Sequence, residues 1–151
     1  MILIILENNR KKLHVNALLN DASTTSFVSE LFVSELNLNV KETNASVKVI
    51  GERTETIPSQ NVEMFFTDKD EIIRRQFKAL ALKTVMGNIN VGDWNKTAYL
   101  WPHIKDIHFP FLEGKQTVDI LIGADYLDLH IPNKEIIGNK NEPNAMLKLL
   151  R

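Results

Sequence analysis

ALLNDASTTSF, residues Ala17 to Phe27, sets a short apolar run against a cluster of small polar and hydroxyl residues closed by an aromatic. Such a boundary is how a strand delivers a reactive side chain into a tight loop. Immediately upstream, Leu13, Val15, Ala17 and Leu19 alternate with His14, Asn16 and Leu18. That is period two, the spacing of a strand buried on one side. The apolar run Met1 to Leu6 comes before it, separated by the turn-like cluster Glu7 to Lys12, so the two runs read as a hairpin. The loop therefore hangs from a hairpin, with Asn20 at its first polar position.

Downstream the period changes. From Ser26, residues Phe27, Val28, Leu31, Phe32 and Leu36 fall on one helical face, and Ser29, Glu30, Ser34 and Glu35 fall on the other. The spacing predicts a short amphipathic helix, capped by a hydroxyl among Thr24 to Ser26 and ended by Asn37 to Asn39. Val47 and Val49, then Thr54 to Ile57, flank Gly51-Glu52-Arg53 as strand, tip and strand. Val62, Met64 and Phe66 alternate again, Thr67 to Asp70 reads as a turn, and Phe77 to Val85 as a further strand. From Met86 to Gly114 glycines and prolines break every period. That segment is expected to be a long loop packed onto the body by Trp94, Tyr99, Trp101, Phe109 and Phe111. VDILIGADYLDLH, residues Val118 to His130, then reads as an apolar strand, a glycine and a helical turn opened by Ala124-Asp125.

Composition narrows the function. The 151 residues are 44% hydrophobic and 25% charged, enough for one domain over residues 1–151 to bury a core. The formal net charge of -1 supplies no field to attract nucleic acid or a membrane surface. Without cysteine there is no disulfide, thiol nucleophile or cysteine metal site. MILIIL is too short to span a bilayer and lacks the basic start of a signal peptide, so an intracellular setting is expected. His14, His103, His108 and His130 show no ligand spacing, and the glycines form no phosphate-binding pattern. No metal or cofactor is expected, and no Gly-x-Ser-x-Gly elbow supports a serine hydrolase.

A strand followed by a polar residue in a small-residue loop is one half of an aspartic-protease site. Such enzymes hold two carboxylates close together sharing one proton, one a base toward water and the other an acid toward the peptide carbonyl. A chain of this length has one such loop, so a symmetry mate would supply the second. Leu18-Leu19-Asn20-Asp21-Ala22-Ser23-Thr24, the strand Ile120-Leu121-Ile122-Gly123-Ala124-Asp125 and the connector DWNKTAYLWPHIKDIHFP together resemble the retropepsin-like aspartic protease domain of BEL/Pao-type retrotransposons. The likeness runs in order along nearly the whole chain.

That resemblance implies an all-β, retropepsin-like closed barrel with one or two short helices, working as a homodimer on a polypeptide substrate. The setting would be the cytoplasm or a retroelement particle. It places Asn20 at the catalytic aspartate, with Asp21 and Ala22 in the same loop and Ser23 bonding to the catalytic group. It places Ile50, Gly51 and Glu52 at the tip of a flap over the substrate. Ile122, Gly123 and Asp125 would support the loop from behind. The departure is Asn20 itself, an amide of the same size that cannot exchange a proton with water, so the chain as written is expected to be inactive. Asp21 is the alternative catalyst, since a one-residue shift re-aims a side chain. A pseudo-protease that only dimerises or holds a peptide is the alternative function. The apolar ends, Met1 to Leu6 or Met146 to Leu150, are candidates for interface strands.

Overall fold

The computed structural model describes residues 1–48, 53–68, 70–87, 89, 92–109 and 117–148. Nine strands form. β1 (Ile2–Asn8), β2 (Lys11–Leu19), β3 (Phe27–Ser29), β4 (Val40–Lys48), β5 (Thr54–Asp68), β6 (Arg74–Leu82) and β7 (Ile120–Ile122) share one sheet. β8 (Pro132–Ile136) and β9 (Ala145–Lys148) form a separate two-stranded ribbon. One helix, α1 (Glu30–Glu35), and short 3₁₀ turns at Trp94–Lys96, Ala98–Leu100 and Ala124–Leu129 complete the described elements.

The sheet closes on itself. Its order β1-β2-β7-β3-β6-β5 returns through a β5–β1 pairing, so six strands make a barrel. The barrel is mixed: β2–β7 and β3–β6 run parallel and the other pairs antiparallel. Closure pairs the edges of the six barrel strands with one another, and β4 remains as an edge strand beyond the ring. β5 makes closure possible because it is long enough to serve three neighbours. It pairs with β6 over Gln60–Thr67, with β4 over Thr54–Val62 and with β1 over Phe65–Asp68. β4 and β1 each overlap β6 in register, so both lie on the edge of β5 opposite β6. Thr54 to Ser59 consequently pair with β4 alone, and the outer part of the β4–β5 hairpin projects from the barrel.

The interior follows the period-two pattern. Val62, Met64 and Phe66 on β5 meet Phe77, Ala79 and Ala81 on β6, and Ile120 and Ile122 on β7 join them. Phe66 and Phe77 are fully buried and meet edge-to-face, with ring centroids 5.6 Å apart at 83°. Each such ring contributes roughly 2–3 kcal/mol by burial, and the pair about 1 kcal/mol more by geometry. Val33 of α1, its C-cap Leu36 and Leu129 of the last 3₁₀ turn belong to the same core.

Turn chemistry explains the hairpins. The β1–β2 turn is only Asn9-Arg10, both at positive φ (46° and 69°), which matches the right-handed twist of its strands. At the β5–β6 turn the buried Asp68 carboxylate accepts from the Ile73 amide (2.8 Å), and Glu71 takes a positive φ of 56°.

Three expectations change. The helix begins at Glu30, not near Ser26, and its cap is Ser29, whose side chain accepts from the Leu31 amide. Phe27–Ser29 is claimed as a strand because β7 and β6 flank it on both sides, and two ladders outweigh one helical turn. The strand expected at Phe77 to Val85 runs Arg74–Leu82, extended backward by pairing with β5. β1 is paired on both edges over Ile4–Glu7, with β2 on one side and β5 on the other. The aromatics between Trp94 and Phe109 do not plug the core: Trp94 packs with Trp101 and Phe109, and Tyr99 is exposed. Among the described residues of that segment Ala98 and Ile104 are buried; Phe111 lies outside the described residues. Among the described residues, no helix is long and apolar enough to cross a membrane.

Candidate functional site

The barrel brings the two sequence motifs together through one parallel pairing. β2 and β7 align Ala17 with Ile120, Leu18 with Leu121 and Leu19 with Ile122. Both strands therefore end at the same level, and the loops Asn20 to Ser26 and Gly123 to Asp125 leave side by side. The Asn20 amide continues the ladder by donating to the Ile122 carbonyl (2.9 Å).

Asn20 then folds the chain back. Its side-chain Oδ1 accepts from the Ala22 amide (3.1 Å) and its carbonyl accepts from the Ser23 amide (3.2 Å). This is an Asx turn, a conformation that a short side chain with a γ-oxygen favours. An aspartate offers the same acceptor, so the turn does not distinguish the acid from the amide. Asn20 is half-buried, and Asp21 and Ala22 are exposed. Ser23, expected to bond to the group at position 20, directs its hydroxyl to the Thr25 carbonyl (2.7 Å).

The second motif braces the first at very close range. A Cβ on Gly123 would lie 2.7 Å from the Ser23 carbonyl oxygen and 2.8 Å from that of Thr25. Only glycine permits this approach. The Ala124 amide donates to the Ser23 carbonyl (2.7 Å), locking the two loops backbone to backbone. His130 Nε2 lies 3.0 Å from the Gly123 carbonyl; a carbonyl only accepts, so that nitrogen carries the proton.

Ser26 joins the loops from the inside. It is fully buried. Its amide donates to Asp125 Oδ2 (3.0 Å) and its hydroxyl to Asp125 Oδ1 (2.7 Å), while the same hydroxyl accepts from the Gly123 amide (2.9 Å). The Asp125 carboxylate thus holds Ser26 in a two-point grip. Sequence reading singled out Asp125 but treated Ser26 as a helix cap. The available signal was a polar residue between two apolar elements, which must find a buried partner.

A second carboxylate ties the start of β7 to β2. Asp119 Oδ2 accepts from the Asn16 amide (2.8 Å), and its backbone bonds to Asn16 and Ser29. Burial pushes the Asp119 carboxyl up from its ordinary value, outweighing the Asn16 and Thr117 hydrogen bonds that favour the anion.

The structure therefore brings Asn20, Asp21, Ala22 and Ser23 into one loop and sets Ile122, Gly123 and Asp125 against it. Ile50, Gly51 and Glu52 lie outside the described residues, although the strands leading to them pair as far as Lys48 with Thr54. No three His, Asp or Glu side chains among the described residues are grouped to hold a metal. Comparison with protein-family models, curated proteins and solved structures returned no match. The fold and the loop geometry alone define the molecule: an all-β protein built on a closed, mixed six-stranded barrel, with a braced polar loop at the end of β2.

Proposed function

We propose that this chain is one half of a retropepsin-like aspartic endopeptidase of the BEL/Pao retrotransposon type, held inactive by Asn20. The reading rests on one observation above the others. Asn20 ends a strand, sits in an Asx turn closed by Ala22, and donates its amide to Ile122 of a neighbouring parallel strand, while Gly123 just beyond that strand packs against Ser23 and Thr25 of the same loop. A polar group held by backbone hydrogen bonds at a strand end, in a loop whose other residues are small, suits a side chain that acts on a substrate rather than one that fills a core. The projecting β4–β5 hairpin is consistent with a lid over such a group.

The active site of such an enzyme needs two of these loops, so the working form is a homodimer with both residues 20 at its two-fold axis. The β8–β9 ribbon supports pairing. Its strands bond only to each other among the described residues, and Ile131, Ile137 and Met146 beside and within it are exposed. The substrate would be a polypeptide, in this family a polyprotein precursor. A second reading, a dimerising pseudo-protease that holds a peptide without cutting it, is favoured by the Asn20 amide itself, since an amide cannot act as general acid or base.

A peptide library incubated with the chain as written and with its Asn20→Asp variant, from acidic to neutral pH, separates the readings. The endopeptidase reading expects no cleavage by the first and cleavage by the second, blocked by a pepsin-type inhibitor. A folded, dimeric Asn20→Asp variant without activity favours the pseudo-protease. Cleavage by freshly prepared chain whose residue 20 is verified by mass as asparagine would move the catalyst to Asp21.

A further inference from the structure

We propose that Asn20 is a self-modifying residue, converted in the folded chain to the aspartate that the site lacks. The inference deepens the reading above, and only its activity arm rests on that reading.

The chemistry needs no partner but water. The Asp21 backbone nitrogen, deprotonated by hydroxide, attacks Asn20 Cγ. The bond from Cγ to the side-chain nitrogen breaks, ammonia leaves, and a five-membered succinimide closes. Water then opens the ring. Addition at Cγ yields aspartate, and addition at the backbone carbonyl yields isoaspartate. The balance is asparagine plus water to aspartate plus ammonium, with no change of oxidation state.

Three features of the loop serve this reaction. The attacking nitrogen is free: among the described residues the Asp21 amide makes no hydrogen bond, whereas the amides on either side do. The electrophile is polarised: Asn20 Oδ1 accepts from the Ala22 amide at 3.1 Å, a donor suited to stabilise negative charge developing on that oxygen. The site is wet: Asn20 is half-buried and its two successors are exposed. Asn44 and Asn61 lack this setting, because each lies within a paired strand.

The test is peptide mass spectrometry on the intact protein aged at mildly alkaline pH. The residue-20 peptide should become one dalton heavier, several-fold faster than the Asn44 and Asn61 peptides and several-fold faster than the same peptide aged in urea. A native rate at or below the urea rate would overturn the proposal, because the fold would then contribute nothing. Ala22→Pro removes the donor to Oδ1, and with folding verified by circular dichroism it should slow conversion several-fold. An unchanged rate would overturn the role given to that bond. Asn20→Gln should abolish the mass gain at this position.

Activity provides the second readout. Because a two-fold site needs both carboxylates, peptide cleavage by aged protein should climb with the square of the aspartate fraction. Conversion to aspartate without cleavage, while Asn20→Asp cleaves, would overturn the claim that conversion completes the site. Conversion with an inactive Asn20→Asp variant would leave the modification established by mass and count against the endopeptidase reading instead.

Discussion

Replacing Gly123 by alanine adds one methyl group at the point where the two loops touch. Its backbone is extended, with φ -87° and ψ -174°, so alanine adopts it without conformational strain and any cost is steric. The new Cβ would lie 2.7 Å from Ser23 O, 2.8 Å from Thr25 O and 2.9 Å from Thr25 C. All three are backbone atoms of a loop that is itself hydrogen-bonded, so no flexible side chain can yield. Overpacking of this kind costs about 1–3 kcal/mol, and displacing Ser23 from the Ala124 amide adds about 1 kcal/mol. The expected loss is about 2–4 kcal/mol. For a domain of this size that lowers Tm by roughly 4–16 °C. The assay is thermal melting followed by circular dichroism, with Gly87→Ala and Gly92→Ala as controls. A Cβ at either of those positions meets nothing within 4 Å. Both controls should melt near the parent. If Gly123→Ala melts with them, the close approach of the two loops is wrong, and with it the bracing of Asn20.

Ser26→Ala leaves the Gly123 amide and one Asp125 oxygen without their buried partner, and urea unfolding should show a loss of about 1.5–3 kcal/mol. For Asp119 the sign follows from burial. Its carboxyl titrates higher in the folded chain than in the unfolded one, so the folded state holds the proton more tightly and stability falls as pH rises from the unfolded to the folded value. Asp119→Asn should therefore raise Tm at neutral pH, with the gain disappearing below the ordinary aspartate range; a gain that grows toward acid pH would contradict the assignment. His103 Nε2 lies 2.8 Å from the Pro143 carbonyl and Nδ1 3.5 Å from Glu142, which latches the ribbon. His103→Ala should speed hydrogen exchange in β8 and β9 while leaving β5 and β6 unchanged.

The strands were legible where one face is buried and the other wet. Val62, Met64 and Phe66 announce β5, and Leu13 to Leu19 announce β2, because solvent enforces alternation on each. Phe27–Ser29 was not legible as a strand. Three residues carry no period, and their pairing comes from β6 and β7, far away in sequence. The closure of the barrel was hidden for the same reason: nothing in Met1 to Leu6 says that its second edge meets Phe65–Asp68. At the site, Asn20 and the Ile122-Gly123 pair stood out as a strand end and a glycine after an apolar run. Ser26 did not, because a buried hydroxyl looks like any cap until its carboxylate partner, 99 positions later, is placed beside it.

The proposed endopeptidase needs two copies of the Asn20 loop, one from each chain, to make a single peptide-cutting site. That requirement is tested most directly by the specific activity of Asn20→Asp as a function of protein concentration, with sedimentation run on the same samples. Cleavage per chain should fall on dilution in step with the dimer fraction, and the rate should decline as rising pH deprotonates both carboxylates. Activity that is independent of concentration in a strictly monomeric species, or no activity from a folded dimer at any acid pH, would contradict it.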